Sequence, residues 1–321
     1  MPYTNTDVAT LTGGLKQSLL NIMTVINEVA TPLVSNLKTS QAIQPVHQWT
    51  SFRNQIPTSV NAVSAPRGGL VLPAGISSNA STMTGTVPST NNTQIISTSF
   101  ALTNTAIASH YAGVADLINF FKTQTLKYVS NGLELSICQG VLGTGDGTTT
   151  GVGPQMQGLI GWAAAAAGYS GYTQAAAKAT FDTSVGEDSL KQMLQAQWSK
   201  GIHSDFMYMS PLNKGKVDKW TSNVVKNLYL ENKEQGGITL PAFISVYQSS
   251  FGVLRLYFGT AMPDTNVVCG VMDELAIAYL TDRLPKVIPL GVQYDGFGFL
   301  TVLEATLEDR DPVSVCGLVL S

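Results

Sequence analysis

The apolar residues Leu15, Leu19, Ile22, Met23 and Ile26 recur at three- and four-residue steps, the stripe of an amphipathic helix with one face turned to a core. Gly13 and Gly14 precede it and Pro32 bounds it. A residue before proline is held away from the α region, so the helix is expected to run into an extended segment near Leu33. Farther on the pattern alternates. Thr82 to Val87 and Thr93 to Ser99 are rich in β-branched residues, and Pro73, Pro88 and several glycines punctuate them. A long, mostly extended hairpin is predicted there. Two strands alone are marginal in water, so that hairpin needs another surface. A flexible linker is the alternative, and the β-branched content argues against it.

A helical pattern follows from Thr105 to Gly140, with Val114, Leu117, Phe121, Val129, Leu133 and Ile137 along one side. At 1.5 Å per residue it would be about 50 Å long, a strut across the molecule. Gly113 and Gly132 are places where it could bend. The glycine- and threonine-rich run Gly143 to Gly151 is a loop. Ser189 to Trp198 repeats the helical stripe, Phe206 to Met209 reads as a short buried strand, and Lys214 to Lys226 as a helix. The last quarter turns to strands, at Val253 to Phe258, Val267 to Val271, Phe299 to Leu303 and Val313 to Leu320.

Charge gives this pattern a location. Of 321 residues only 12 % are charged, against roughly 25 % in an average soluble domain, while 44 % are hydrophobic. The chain should fold, and its length suits one large or two interleaved domains. The 48 residues from Gly68 to Ala115 contain no Asp, Glu, Lys or Arg, and 20 of them are Ser, Thr, Asn or Gln. A chain so poor in charge either hides surface against other subunits or solvates it with neutral polar groups. The net charge of −3 gives no global reason to bind nucleic acid. No apolar run reaches the roughly 18 residues of a membrane span, and no export signal opens the chain.

Candidate chemistry is sparse. Cys138, Cys269 and Cys316 are far apart with no CxxC pair and read as buried thiols in a reducing compartment. The histidines, His47, His110 and His203, lack ligand spacing. Gly143, Gly145 and Gly147 do not form a dinucleotide fingerprint, and Gly215-Lys216 is followed by Val217 instead of Ser or Thr. A serine hydrolase would need His203 to pair with a carboxylate such as Asp205. Glu304, Glu308, Asp309 and Asp311, with Arg310 among them, read as a solvated or subunit-facing edge. Five lysines (200, 214, 216, 219 and 226) stand against Asp205 and Asp218, a local excess that suits a solvated helix face or weak nucleic-acid contact.

Short motifs recur in a telling order: Thr31-Pro32-Leu33-Val34-Ser35, His47-Gln48-Trp49, Asn92-Thr93-Gln94-Ile95-Ile96, Gly158-Leu159-Ile160-Gly161-Trp162 and Ala305-Thr306-Leu307-Glu308. In that order the chain resembles the major capsid proteins of tailed bacteriophages with the Hong Kong 97 fold, an α+β fold. The resemblance implies an N-terminal arm (1–44), an extended loop (45–100), the spine helix of a peripheral domain (101–145), an axial domain (146–260) and late strands shared by both domains (261–321). It implies a non-catalytic structural protein without cofactor or metal, assembled in the host cytoplasm. Its hexamers and pentamers would close an icosahedral virion shell around double-stranded DNA. Portal, scaffold or decoration proteins would be further partners. An encapsulin compartment shares the fold, with cargo enzyme in place of a genome. A soluble hydrolase or binding module would instead need a converging polar site.

The resemblance also places candidate residues. His47, Trp49, Arg53, Arg67, Thr82, Thr84 and Thr86 belong to the extended loop and its root, where subunits would meet. Trp49 would anchor the root by burial or pack in its own subunit's core. Arg53 and Arg67, the loop's only Lys or Arg residues, would meet a carboxylate or carbonyl of a neighbour or stay exposed and unpaired. Lys214, Lys216 and Lys219 are the candidate inner-surface contacts to DNA, weak and non-specific. The loop lacks a lysine, so no lysine-to-asparagine cross-link is expected to start there, and boiled particles should give one gel band near 34 kDa. The short, charge-poor stretch before Thr31 also suggests no cleaved scaffolding segment.

Overall fold

The computed structural model describes residues 31–52, 86–108, 116–143, 145, 153–166, 184–199, 201–218, 220, 246–292, 295–311 and 314–320. The amphipathic stripe between Leu15 and Ile26 lies outside them. Immediately after it, the extended segment expected near Leu33 is a helix, α1 (Pro32–Asn36). Proline restricts only the residue before it, and its own fixed φ suits the first helical position. The free amides of that first turn are satisfied from far away. Glu134 accepts from Leu33 N (3.1 Å) and Val34 N (2.9 Å) and also from the Tyr208 hydroxyl (3.0 Å).

Strand pairing revises the predicted hairpin. β2 (Val46–Phe52) pairs antiparallel with β3 (Thr86–Asn92), Val46 opposite Asn92 and Phe52 opposite Thr86. The alternating stretch from Thr93 onward does not fold back on Thr86 and Val87, the described part of the segment Thr82–Val87. It forms β4 (Gln94–Thr103), which pairs with β11 (Gly296–Asp309) from Gln94 opposite Ala305 to Thr103 opposite Gly296. The hairpin therefore joins a segment before the uncharged stretch to one within it, and Thr93 is the point at which the chain leaves the hairpin.

The expected strut is interrupted. α2 (Asn104–Ala108) is short, and α3 (Leu117–Gln139) starts afresh where the Asp116 side chain accepts from Asn119 N at 3.1 Å, an N-cap. Its 23 residues span about 35 Å. Gly132 lies inside this one continuous helix. A Cβ there would lie 3.0 Å from Ile96 Cγ2, so glycine lets α3 close onto β4.

Two five-stranded sheets follow. The first has the order β1 (Lys38–Ala42), β9 (Leu275–Leu280), β11, β10 (Lys286–Val292), with β4 on the other side of β11. The second runs β12 (Cys316–Val319), β8 (Asn266–Gly270), β5 (Phe206–Met209), β7 (Gly252–Phe258), β6 (Val246–Ser249). Side chains on a strand alternate between faces, and β5 uses this fully. Phe206 and Tyr208 enter one core with Leu133, Ile137, Leu159 and Leu307, whereas Met207 and Met209 enter another with Leu190, Met193, Leu254 and Leu318. The second sheet is thus covered on both faces.

Helices α4 (Leu159–Ala166) and α5 (Ser184–Trp198) close these cores. The helix predicted from Lys214 starts earlier, as α6 (Pro211–Val217), because Ser210 caps it and Pro211 occupies its first turn. Lys226 lies outside the described residues. Among the described residues, no helix is long and apolar enough to cross a membrane.

Candidate functional site

The root of the β2–β3 hairpin is fixed by polar side chains that sequence reading left unassigned. Asn91 is buried, and its amide nitrogen donates to Leu307 O (2.8 Å) and Gln157 O (3.1 Å). Its amide oxygen accepts from Gln157 N (2.8 Å) and Asn92 N (2.9 Å). Asn92 reaches Gly143 O at 3.0 Å, and the Thr93 hydroxyl donates to Glu304 Oε1 at 2.7 Å. These bonds tie the hairpin to β11, to the loop after α3 and to the residues before α4. The signal was present in the Asn92-Thr93-Gln94 and Gly158-Leu159 motifs, which flank this contact. Gly158 serves it too, since a Cβ there would lie 2.7 Å from Gly140 N.

His47 and Trp49 occupy the same root. Trp49 Nε1 donates to Asp309 O at 2.7 Å, and its ring lies 5.9 Å from that of Trp162 and 5.4 Å from that of His47. His47 Nε2 is buried 3.5 Å from Glu308 Oε2 without a well-formed hydrogen bond. Both residues therefore contact their own chain. Thr86 begins β3 opposite Phe52, at the far end of the described ladder. Arg53, Arg67, Thr82 and Thr84 lie outside the described residues.

The acidic run at the end of β11 is not the solvated edge its charges suggested. Glu304, Glu308 and Asp309 are buried. Their partners come from elsewhere: Thr93 for Glu304, Ser314 for Asp309 (2.8 Å), and Ser40 (2.6 Å) with Arg310 (3.0 Å) for Glu308. Burial works to raise the Glu308 carboxyl, yet the Ser40 and Arg310 hydrogen bonds and nearby positive charge hold it below the usual carboxylate range. Asp309 goes the other way. Burial pushes it up to about 8 against the Ser314 hydrogen bond, and its Oδ2 is buried without a hydrogen-bond partner, the arrangement of a neutral acid.

Other candidates separate. Lys214 is buried and paired with Asp218, which withdraws it from the proposed DNA-facing group; the four-residue spacing on α6 brings the two together. Lys216 is partly exposed, and Lys219 lies outside the described residues. Asp205 accepts from Met272 N at 2.8 Å, while the His203 ring lies 3.8 Å from that of Trp198, so the pair a hydrolase would need is engaged elsewhere. Among the described residues, no cluster of three His, Cys, Asp or Glu side chains could hold a metal. The three cysteines are free and buried.

Known structures share this fold at low identity. The capsid of cyanophage P-SCSP1u matches at a TM-score of 0.58 and 13 % identity, covering 99 % of this chain and 95 % of that one. The capsid of a native GTA particle matches at 0.61 and 9 %, covering 99 % and 100 %. The SrpI encapsulin of Synechococcus elongatus PCC 7942 matches at 0.54 and 10 %, covering 98 % and 94 %. None of the curated proteins matches. At such identities these likenesses establish the fold, the Hong Kong 97 type, which phage capsids and encapsulins share. Between those two uses the family model decides. The SU10 major capsid protein family matches residues 2–319, and the chain belongs to it: this is a structural protein of a phage capsid shell.

Proposed function

We propose that the chain assembles as hexamers and pentamers into an icosahedral shell around double-stranded DNA, in the host cytoplasm, and that residues 53–85 of each hairpin lie on a neighbouring subunit. The observation that carries this reading is the contrast between the hairpin's two ends. Its root is bonded to the body of its own chain, while β2 and β3 pair with no third strand among the described residues. Such a ladder needs a surface, and the uncharged residues from Gly68 onward can cover a neighbour without desolvating ions. Arg53 and Arg67 then find carboxylates or carbonyls across the interface, and Thr82 and Thr84 hydrogen-bond there. Lys216 and Lys219 face the interior. With a net charge of −3, contact with DNA is weak and non-specific. The shell works without catalysis, metal or cofactor, and portal, scaffold or decoration proteins are its further partner classes.

Electron microscopy of the expressed protein tests the reading. Closed shells are expected, and a stable monomer would refute it. Mass spectrometry and nuclease digestion of the contents then separate a genome from an enclosed enzyme, the outcome an encapsulin would give.

A further inference from the structure

Cys269 on β8 and Cys316 on β12 stand directly opposite each other in the second sheet. Both are fully buried, and the neighbouring Cys316 side chain adds to the upward push that burial gives the Cys269 thiol. Leu320 N donates to Thr265 O at 2.7 Å, and pairs in an antiparallel ladder alternate in type. Cys269 and Cys316 therefore form a hydrogen-bonded pair, with Cα atoms about 5.5 Å apart. That spacing is inside the range a disulfide spans, roughly 4.4–6.8 Å. The remaining cysteine, Cys138, sits on α3 in the other core, beside Tyr208 and Glu134.

We propose that Cys269 and Cys316 are a latent cross-strand disulfide, closed in an oxidising medium by exchange with a small organic disulfide. Cys316 loses its proton and its sulfur attacks one sulfur of the oxidant, giving a mixed disulfide and a departing thiolate that takes up a proton. Cys269 then loses its proton, attacks the Cys316 sulfur and displaces the second small thiol. Two protein thiols are oxidised to one bond while one small disulfide is reduced to two thiols. Cys316 is the residue that meets the oxidant first because β12 is a four-residue strand at the sheet edge, paired on one side only among the described residues. A short strand at a sheet edge opens more readily than a central one, so the reaction waits on local opening. Burial, which pushes the Cys269 thiol well up, makes it slower still. The bond would tie β12 to β8 and close the loop of chain that runs from Cys269 to Cys316.

The two strands meet within one chain, so the test does not depend on shell formation. Purified protein is incubated with cystamine for increasing times and alkylated under denaturing conditions, and its peptides are mapped with and without reductant. The expected result is a Cys269–Cys316 link within one chain, growing with time and reversed by dithiothreitol, with Cys138 alkylated throughout. C316S and C269S should each abolish the link. Alkylation of both residues after prolonged oxidation overturns the proposal. So does a persistent mixed disulfide, a link through Cys138 or a link between chains. The wild-type mapping decides the matter even if a variant fails to fold.

Discussion

The hairpin root and the second sheet solve the same problem, fixing distant segments together, by opposite means. The face of the second sheet packed on α5 is apolar: Leu190, Met193, Met207, Met209 and Leu318 fill it, and few of its contacts have a required direction. At the root, Asn91, Thr93, Trp49, Glu304 and Asp309 are joined by hydrogen bonds between residues up to 260 positions apart. Apolar packing tolerates small shifts, whereas a buried amide that slips by one residue leaves several groups unpaired. The root therefore sets the direction in which the hairpin leaves the body, and the second sheet supplies bulk stability.

That contrast can be broken from either side. Asn91→Ala should have the largest effect, because it strands buried groups of Leu307, Gln157 and Asn92 at about 1–3 kcal/mol each. Thermal melting should show the loss, and hydrogen exchange should show it centred on β2 and β3. Leu318→Ala should cost about 2–5 kcal/mol, the usual range for a buried leucine, and leave amide protection at the root intact. If both variants loosen the hairpin equally, the two regions are not separate.

Proton linkage sharpens the comparison. Asp309 keeps its proton in the folded state up to about 8, whereas the unfolded chain loses it near the ordinary aspartate value of 3.8. Between those values the native state binds more protons, so stability falls as pH rises, by at most about 1.4 kcal/mol per pH unit, and levels off above the upper value. Glu308 runs the other way: its contribution is lost as pH falls through its depressed folded value. Asp309→Asn keeps the neutral shape and should flatten the fall. Denaturant midpoints measured across the window check this, and an unchanged slope would show that Asp309 is already ionised.

Two smaller changes complete the series. Trp49→Phe removes the hydrogen bond to Asp309 O and should cost about 1–2 kcal/mol in the same melting assay, since that carbonyl is left without its donor. Lys38→Ala breaks an ion pair with Asp273 in which both side chains are more than half exposed, and should shift the melting midpoint hardly at all.

Local pattern made part of this architecture legible. The FMYM run of β5 read as a buried strand because all four side chains are large and apolar, and α5 read as a helix from its stripe. β11 was seen only from Phe299 to Leu303, where the uncharged residues end. Its continuation through Glu304, Glu308 and Asp309 looks solvated until Thr93, Ser40 and Ser314 arrive as partners. The pairing of Thr93–Ser99 was misassigned for a related reason. Alternation shows that a segment is a strand but not which strand lies beside it, and β11 is about 200 residues away. Trp49 stands out in the sequence as a large aromatic near His47 in a mostly polar segment. Asn91 does not, because one asparagine among twenty small polar residues has no local signature.

The central claim is that the hairpin is held by its own chain at the root and by another chain beyond it. Cryo-electron microscopy of assembled shells, at a resolution that traces residues 53–85, tests it directly. The account predicts Asn91 and Trp49 bonded within their own subunit, and the uncharged stretch from Gly68 to Gly85 resting on an adjacent one. Density that packs this stretch only against its own subunit would contradict it.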